Sequence, residues 1–155
     1  MSVEEVLEQV DTYGSAYVCI TGGEPLLQRE DVLLLARALH QKGILVDIET
    51  NGTRDFSAYQ PYAAICMDVK CPSSGEESDL SLLRKLTFQD AVKFVVQGEE
   101  DCRYLTLILS TYPMQGEVFV SPVYGTNYRY VADYVLENDL PVRFQVQLHR
   151  FLEIR

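Results

Sequence analysis

The stretch Tyr17-Val18-Cys19-Ile20-Thr21-Gly22-Gly23-Glu24-Pro25 decides how this chain is read. A strand-like run ends in a bare, sharply turning backbone. Two glycines let main-chain groups approach a ligand with no Cβ in the way, and Pro25 fixes the exit toward a following helix. Glu24 adds one acceptor for a ligand amine. Alone, the Gly-Gly-Glu-Pro turn is a weak signal, because such turns also serve as plain strand-to-helix connections.

Working outward, strand-like runs begin near Tyr17, Ile44, Ala64, Ala91, Glu117 and Val142, spaced by 20 to 27 residues. That spacing fits strand, crossover helix and loop, the unit of a parallel sheet. Most runs are apolar on both faces, as strands covered by helices on at least one side should be. The spacing therefore predicts an α/β fold. Residues 31–39 carry a broad apolar stripe, with Gly43 placed to end the helix in a left-handed turn and His40 near its end as a dipole-complementing residue. Asn127 is placed to cap a helix through Val131, Val135 and Leu136 that ends near Asn138 and Pro141. Ser2 and Glu5 have capping-box spacing ahead of Val6, Leu7 and Val10. Glu99-Glu100-Asp101 reads as a solvated, acidic helix start.

Each polar cluster falls at the carboxyl end of a predicted strand, where parallel α/β proteins bind ligands. Glu49-Thr50-Asn51-Gly52 closes the second run, Asp68-Val69-Lys70 the third, and Ser121-Pro122 the fifth. Asn-Gly and Ser-Pro are also ordinary turn formers, but several such clusters at one sheet edge point to a shared site.

Taken in order, Gly22-Gly23-Glu24-Pro25, Glu49-Thr50-Asn51-Gly52-Thr53, Asp68-Val69-Lys70-Cys71-Pro72-Ser73-Ser74-Gly75, Val118-Phe119-Val120-Ser121-Pro122 and Gln147-Leu148-His149-Arg150 resemble the 7-carboxy-7-deazaguanine synthases. These are radical S-adenosylmethionine (SAM) enzymes of queuosine and archaeosine biosynthesis. The resemblance covers nearly the whole chain. It implies a parallel-sheet partial (β/α) barrel of the radical SAM type and a lyase that converts 6-carboxy-5,6,7,8-tetrahydropterin to 7-carboxy-7-deazaguanine and ammonia by ring contraction. It implies SAM, a [4Fe-4S] cluster and Mg2+ as cofactors, with a flavodoxin- or ferredoxin-type reductant.

The resemblance also implies roles. Gly22, Gly23 and Glu24 would hold the SAM amino group, Glu49 and Asn51 its ribose and methionyl part, Lys70 its carboxylate, and Ser121 would lie near the adenosyl moiety. Thr21, Gln147 and His149 would face the pterin. Gln147 and His149 share a face if their segment is a strand, so both could bond one flat heterocycle. After that motif the chain departs from the family, with Arg150 where lysine is usual.

Radical SAM enzymes hold their cluster in a Cys-x3-Cys-x2-Cys loop, and no three of Cys19, Cys66, Cys71 and Cys102 have that spacing. No catalytic residue and no metal ligand is assigned in the chain. It opens at a helix, whereas a parallel α/β domain normally starts with a strand. The expectation is a single domain over residues 1–155 that lacks the family's first strand and cluster loop and is inactive alone. The strand at Tyr17 would then be an exposed edge, inviting homodimerisation, rearrangement of the first helix, or poor solubility. Cys19 and Cys66 read as small buried hydrophobes.

Composition sets the remaining bounds. With 23 acidic and 13 basic residues the formal net charge is −10, a field that repels nucleic-acid phosphates. The acidic Met1-Ser2-Val3-Glu4-Glu5 is unlike a signal peptide, and the apolar runs are too short for a membrane span, so a cytoplasmic location is expected. Three other classes compete. A doubly wound nucleotide-binding domain lacks its Gly-x-Gly-x-x-Gly or Walker loop. A zinc module has only Cys66 and Cys71, with four residues between them, and two histidines, a poor ligand set. The third is a non-catalytic module that binds SAM, a purine or a pterin.

Overall fold

A computed structural model describes residues 1–153, the His149 side chain excepted. The element order is α1 (Val3–Tyr13), β1 (Tyr17–Ile20), α2 (Arg29–Gln41), β2 (Leu45–Thr50), β3 (Ala64–Val69), β4 (Ala91–Val96), α3 (Glu99–Thr111), β5 (Glu117–Pro122), α4 (Tyr128–Glu137), β6 (Arg143–Phe144) and α5 (Leu148–Phe151). The six strands form one sheet in the order β1-β2-β3-β4-β5-β6, every neighbouring pair parallel. Consecutive order with crossovers of one hand sends every connection across the same face. The result is an open, barrel-like sheet with one covered side.

Side-chain alternation follows from this winding. Val46, Ile48, Ile65, Met67, Val69, Val92, Phe94, Val96, Val118 and Val120 point to the covered face and are buried. Asp47, Cys66, Asp68, Lys93 and Phe119 point to the other face and are half-buried, and Glu49 is exposed there. Cys19 shares that open face, so it is exposed and not the buried hydrophobe the sequence suggests.

The expected caps form. Ser2 and Glu5 make a reciprocal capping box, with Ser2 N donating to Glu5 Oε2 at 2.7 Å. Asn127 Oδ1 accepts from Tyr130 N at 3.1 Å, and Gly43 takes φ 74° after α2. Two crossovers depart from expectation, because no α-helix joins β2 to β3 or β3 to β4. Asn51-Gly52 and Pro61 in the first and Pro72-Ser73-Ser74-Gly75 in the second disfavour a helix. Short turns instead drive Phe56, Tyr59, Leu82 and Leu83 into the core.

Two further corrections concern the acidic run and the tail. Asp101 is 1% exposed and does not face water. Beyond Glu117, the last strand has only two residues, Arg143 and Phe144, and Gln147 is the N-cap of α5, so Gln147 and His149 do not share a strand face. One more bond, Gln145 N to Val120 O at 2.9 Å, extends the pairing before the chain turns away. Phe151 then packs edge-on against Tyr124, with ring centroids 5.9 Å apart, and this contact holds the tail in a helical turn.

β1 is an edge strand of the sheet, and α1 has no fully buried residue. Val6, Leu7, Ile20, Leu27, Val32 and Leu35 line a cavity of about 1080 Å3 between α1, α2 and β1.

Candidate functional site

The strand ends assemble into two hydrogen-bonded networks that meet at Asn51. In the first, the β1 loop carries Gly22 at φ 117°, a backbone that only glycine adopts easily, followed by Gly23 and Glu24. Glu24 Oε1 accepts from Leu26 N at 3.0 Å and Oε2 from Asn51 N at 2.7 Å. Thr50 Oγ1 also lies 2.9 Å from Oε1. The carboxylate therefore ties the β1 loop to the end of β2. Two carboxylate oxygens offer about four acceptor sites, which leaves room for a ligand donor as well. Thr21 Oγ1 reaches Glu49 Oε2 at 3.4 Å across the open face. Asn51 Oδ1 accepts from Thr53 Oγ1 at 2.6 Å, closing its own turn.

The second network centres on Lys70. Its Nζ lies 2.9 Å from Asp68 Oδ2 and 3.9 Å from Glu76 Oε2. Burial alone would lower its pKa, but the Asp68 carboxylate, then Glu76 and Glu24, outweigh this and hold the ammonium above its ordinary value. Ser78 Oγ accepts from Lys70 N at 3.1 Å and donates to Asn51 O at 2.7 Å, stitching the ends of β2 and β3 together.

Two buried polar atoms lack partners among the described residues: Asp68 Oδ1 and Ser121 Oγ. An orphaned buried acceptor or hydroxyl is costly, so both fit a ligand that brings hydrogen-bonding groups. Asp68, Lys70, Cys71, Ser73, Val95 and Gln97 line a cavity of about 310 Å3, and Val95 is the register partner of Ser121. Gly22, Gly23, Glu24, Glu49, Asn51, Lys70 and Ser121 thus sit at one sheet edge, as their spacing predicts. Gln147 is half-buried at the start of α5 with no hydrogen bond to either network among the described residues, and the His149 side chain lies outside the described residues.

Three participants carry no role in the sequence reading. Asp68 precedes Lys70 by two residues, which the strand period places on its own face, so a signal existed. Thr50 and Ser78 act through polar side chains in ordinary turn sequence, and nothing in their neighbours marks them.

The thiols do not fit an iron-sulfur cluster. Burial, aided by Glu49, pushes Cys66 up to about 12, and burial with Asp101 pushes Cys71 up to about 12 and Cys102 up to about 11. Cys19 is raised by its partial burial, then by Glu49 and Asp47. Among the described residues no group of three His, Cys, Asp or Glu side chains could hold a metal ion. Cys19 lies on β1, Cys66 on β3, Cys71 just after β3 and Cys102 on α3, and no three of them converge as a cluster loop requires. Accordingly, alkylation by iodoacetamide at pH 8 should label Cys19 first, while Cys71 and Cys102 stay unlabelled until the chain unfolds; mass mapping that finds Cys71 labelled as fast as Cys19 would contradict this.

No described helix is long and apolar enough to cross a membrane. Residues 1–98 match the model of the Radical SAM superfamily. The chain is 49% identical over 152 residues to a 7-carboxy-7-deazaguanine synthase of Methanospirillum hungatei, covering 98% of this chain and 65% of that protein. It is 30% identical to a 7-carboxy-7-deazaguanine synthase of Koribacter versatilis, covering 98% of this chain and 76% of that protein. In fold it is similar to the crystal structure of QueE from Escherichia coli, with a TM-score of 0.73 at 24% identity over 95% of this chain and 64% of that one. The chain thus spans about two thirds of the first relative's length.

Proposed function

Because the chain belongs to the radical SAM superfamily, in its 7-carboxy-7-deazaguanine synthase family, we propose that it supplies the SAM-holding and substrate-facing part of such an enzyme. The substrate would be 6-carboxy-5,6,7,8-tetrahydropterin and the product 7-carboxy-7-deazaguanine. The observation that carries this reading is the pair of buried polar atoms without partners among the described residues, Asp68 Oδ1, whose carboxylate meets the Lys70 ammonium, and Ser121 Oγ at the same rim of the sheet.

When bound, and cleaved by one electron from the whole enzyme's cluster, SAM would supply the group that abstracts a hydrogen atom from the substrate. The chain's residues hold and orient it. Lys70 is the counter-charge for the cofactor carboxylate, an arrangement that gives a charge-assisted hydrogen bond. Gly22 and Gly23 leave the backbone bare for its amino group, with Glu24 as an acceptor. Glu49 and Asn51 face its ribose and methionyl part, and Ser121 its adenosyl part. Thr21 and Gln147 are assigned to the pterin, as is His149, whose side chain lies outside the described residues. Since no three of the described thiols converge on a cluster, the chain alone is proposed to bind without catalysing. The same scatter of thiols supports the second reading, a non-catalytic module for SAM, a purine or a pterin. A flavodoxin- or ferredoxin-type reductant belongs to the proposal for the intact family, and a cytoplasmic site and a homodimer through the β1 edge to that for this chain.

Titration calorimetry with S-adenosylhomocysteine tests the reading. Lys70→Ala should weaken binding by about 1.5 to 3 kcal/mol, the worth of a hydrogen bond to a charged group. Unchanged binding would make Lys70 an ordinary ion-paired lysine.

A further inference from the structure

We propose that Asp101 is a positioning residue for the turn after β3, and through that turn for the Lys70 ammonium; this rests on Lys70 being the counter-charge for the SAM carboxylate. Asp101 lies in the first turn of α3, where a carboxylate ordinarily meets water or its own helix's amides. Here it is buried and turned away from its own helix. Its Oδ1 accepts from Ser73 N at 3.0 Å, and its Oδ2 accepts from Ser73 Oγ at 2.5 Å and from Gln97 N at 2.7 Å. One side chain therefore fixes the loop after β3 against Gln97, the residue just after β4.

Only Cys71 and Pro72 separate Lys70 from Ser73. That connection is stiff: Pro72 has a fixed φ, and Ser74 Oγ closes the turn onto Cys71 O at 2.7 Å. A shift at Ser73 therefore moves Lys70 as well. Asp68 holds the Lys70 ammonium directly and Ser78 Oγ holds its backbone N, while Asp101 and Ser78 pin the loop on either side of Glu76. Among the described residues Asp101 meets three donors, all neutral, and a buried anion so placed is costly unless each bond is made. An asparagine of the same shape keeps one acceptor oxygen and turns an N–H group toward donors.

The test compares two probes that differ in the amino-acid end. S-adenosylhomocysteine has the carboxylate that Lys70 would hold, and 5′-methylthioadenosine lacks it. Asp101→Asn should weaken S-adenosylhomocysteine about tenfold, the effect of losing roughly one charge-assisted bond, and leave 5′-methylthioadenosine unchanged. In a Lys70→Ala background the same change should have no further effect on either probe. Equal weakening of both probes, or additive weakening in the Lys70→Ala background, would mean a merely structural role and overturn the proposal. Unchanged S-adenosylhomocysteine affinity in Asp101→Asn, with Lys70→Ala weakened, sinks this proposal alone. Unchanged affinity in Lys70→Ala sinks the reading of Lys70 and this proposal with it, as does absence of any binding by the unaltered chain. Should Asp101→Asn fail to fold, Ser73→Ala removes only the hydroxyl bond and must show the same probe selectivity at smaller size; weakening of both probes would again overturn it.

Discussion

Asp90→Ala is expected to lower the free energy of unfolding by roughly 3–5 kcal/mol, measured by urea denaturation. Asp90 is 3% exposed and directly precedes β4. Its Oδ1 accepts from Ile65 N at 2.8 Å, and its Oδ2 accepts from Thr87 N at 2.7 Å, Thr87 Oγ1 at 2.9 Å and Gln60 Nε2 at 2.8 Å. Its carbonyl also accepts from Glu117 N at 3.2 Å, so this residue gathers the starts of β3, β4 and β5. Alanine strands the buried Ile65 amide, at about 1–3 kcal/mol, and the half-buried Thr87 amide, at less. Asn in the same place keeps an acceptor and should fall between alanine and the parent. A loss under about 1 kcal/mol in Asp90→Ala would show that water replaces the carboxylate at little cost.

Gly23→Val should act in the opposite manner, leaving thermal unfolding nearly unchanged while weakening S-adenosylhomocysteine by about 100-fold or more, beyond the loss of a single ordinary contact. A Cβ at Gly23 meets no atom within 4 Å, and its backbone lies outside the left-handed region. The fold has no use for the missing side chain, so the empty space is available to a ligand. Gly52 is a contrasting case in the next loop, since a Cβ there would lie 3.1 Å from Met67 Cγ at a φ of 69°. Gly52→Val should therefore reduce stability directly. If Gly23→Val binds like the parent, the loop is only a connection, and the proposed approach to the cofactor backbone fails.

The strand starts and the strand-end motifs were legible because parallel strands with short connections repeat at a near-constant interval and end in residues that cannot be core. Helix ends were legible where capping chemistry is local, as at Ser2, Gly43 and Asn127. What escaped the sequence depends on distant partners. Asp101 looks like any helix-start carboxylate until Ser73 and Gln97 are seen beside it. Cys19 sits in an apolar run, yet its burial follows from which face the crossovers cover, a property of strand order. The tail has the alternation of a strand, but pairing stops after Gln145 and aromatic packing by Phe151 takes over. Helices were expected in every crossover; Phe56 and Leu83 fill the core as well from turns, and the residue pattern alone does not separate the two.

The polar brackets divide between the two edges of the sheet. Asp90 stands immediately before β4 and Gln97, held by Asp101, immediately after it, with six strand residues between. At about 3.3 Å per residue the two edges lie roughly 20 Å apart, beyond the range at which substitutions usually couple. Free-energy changes at Asp90 and at Lys70 should then sum without interaction. Such modularity gives the chain two independent adjustments: cohesion can be tuned at one rim while the ligand-facing rim drifts, and neither has to be re-optimised for the other.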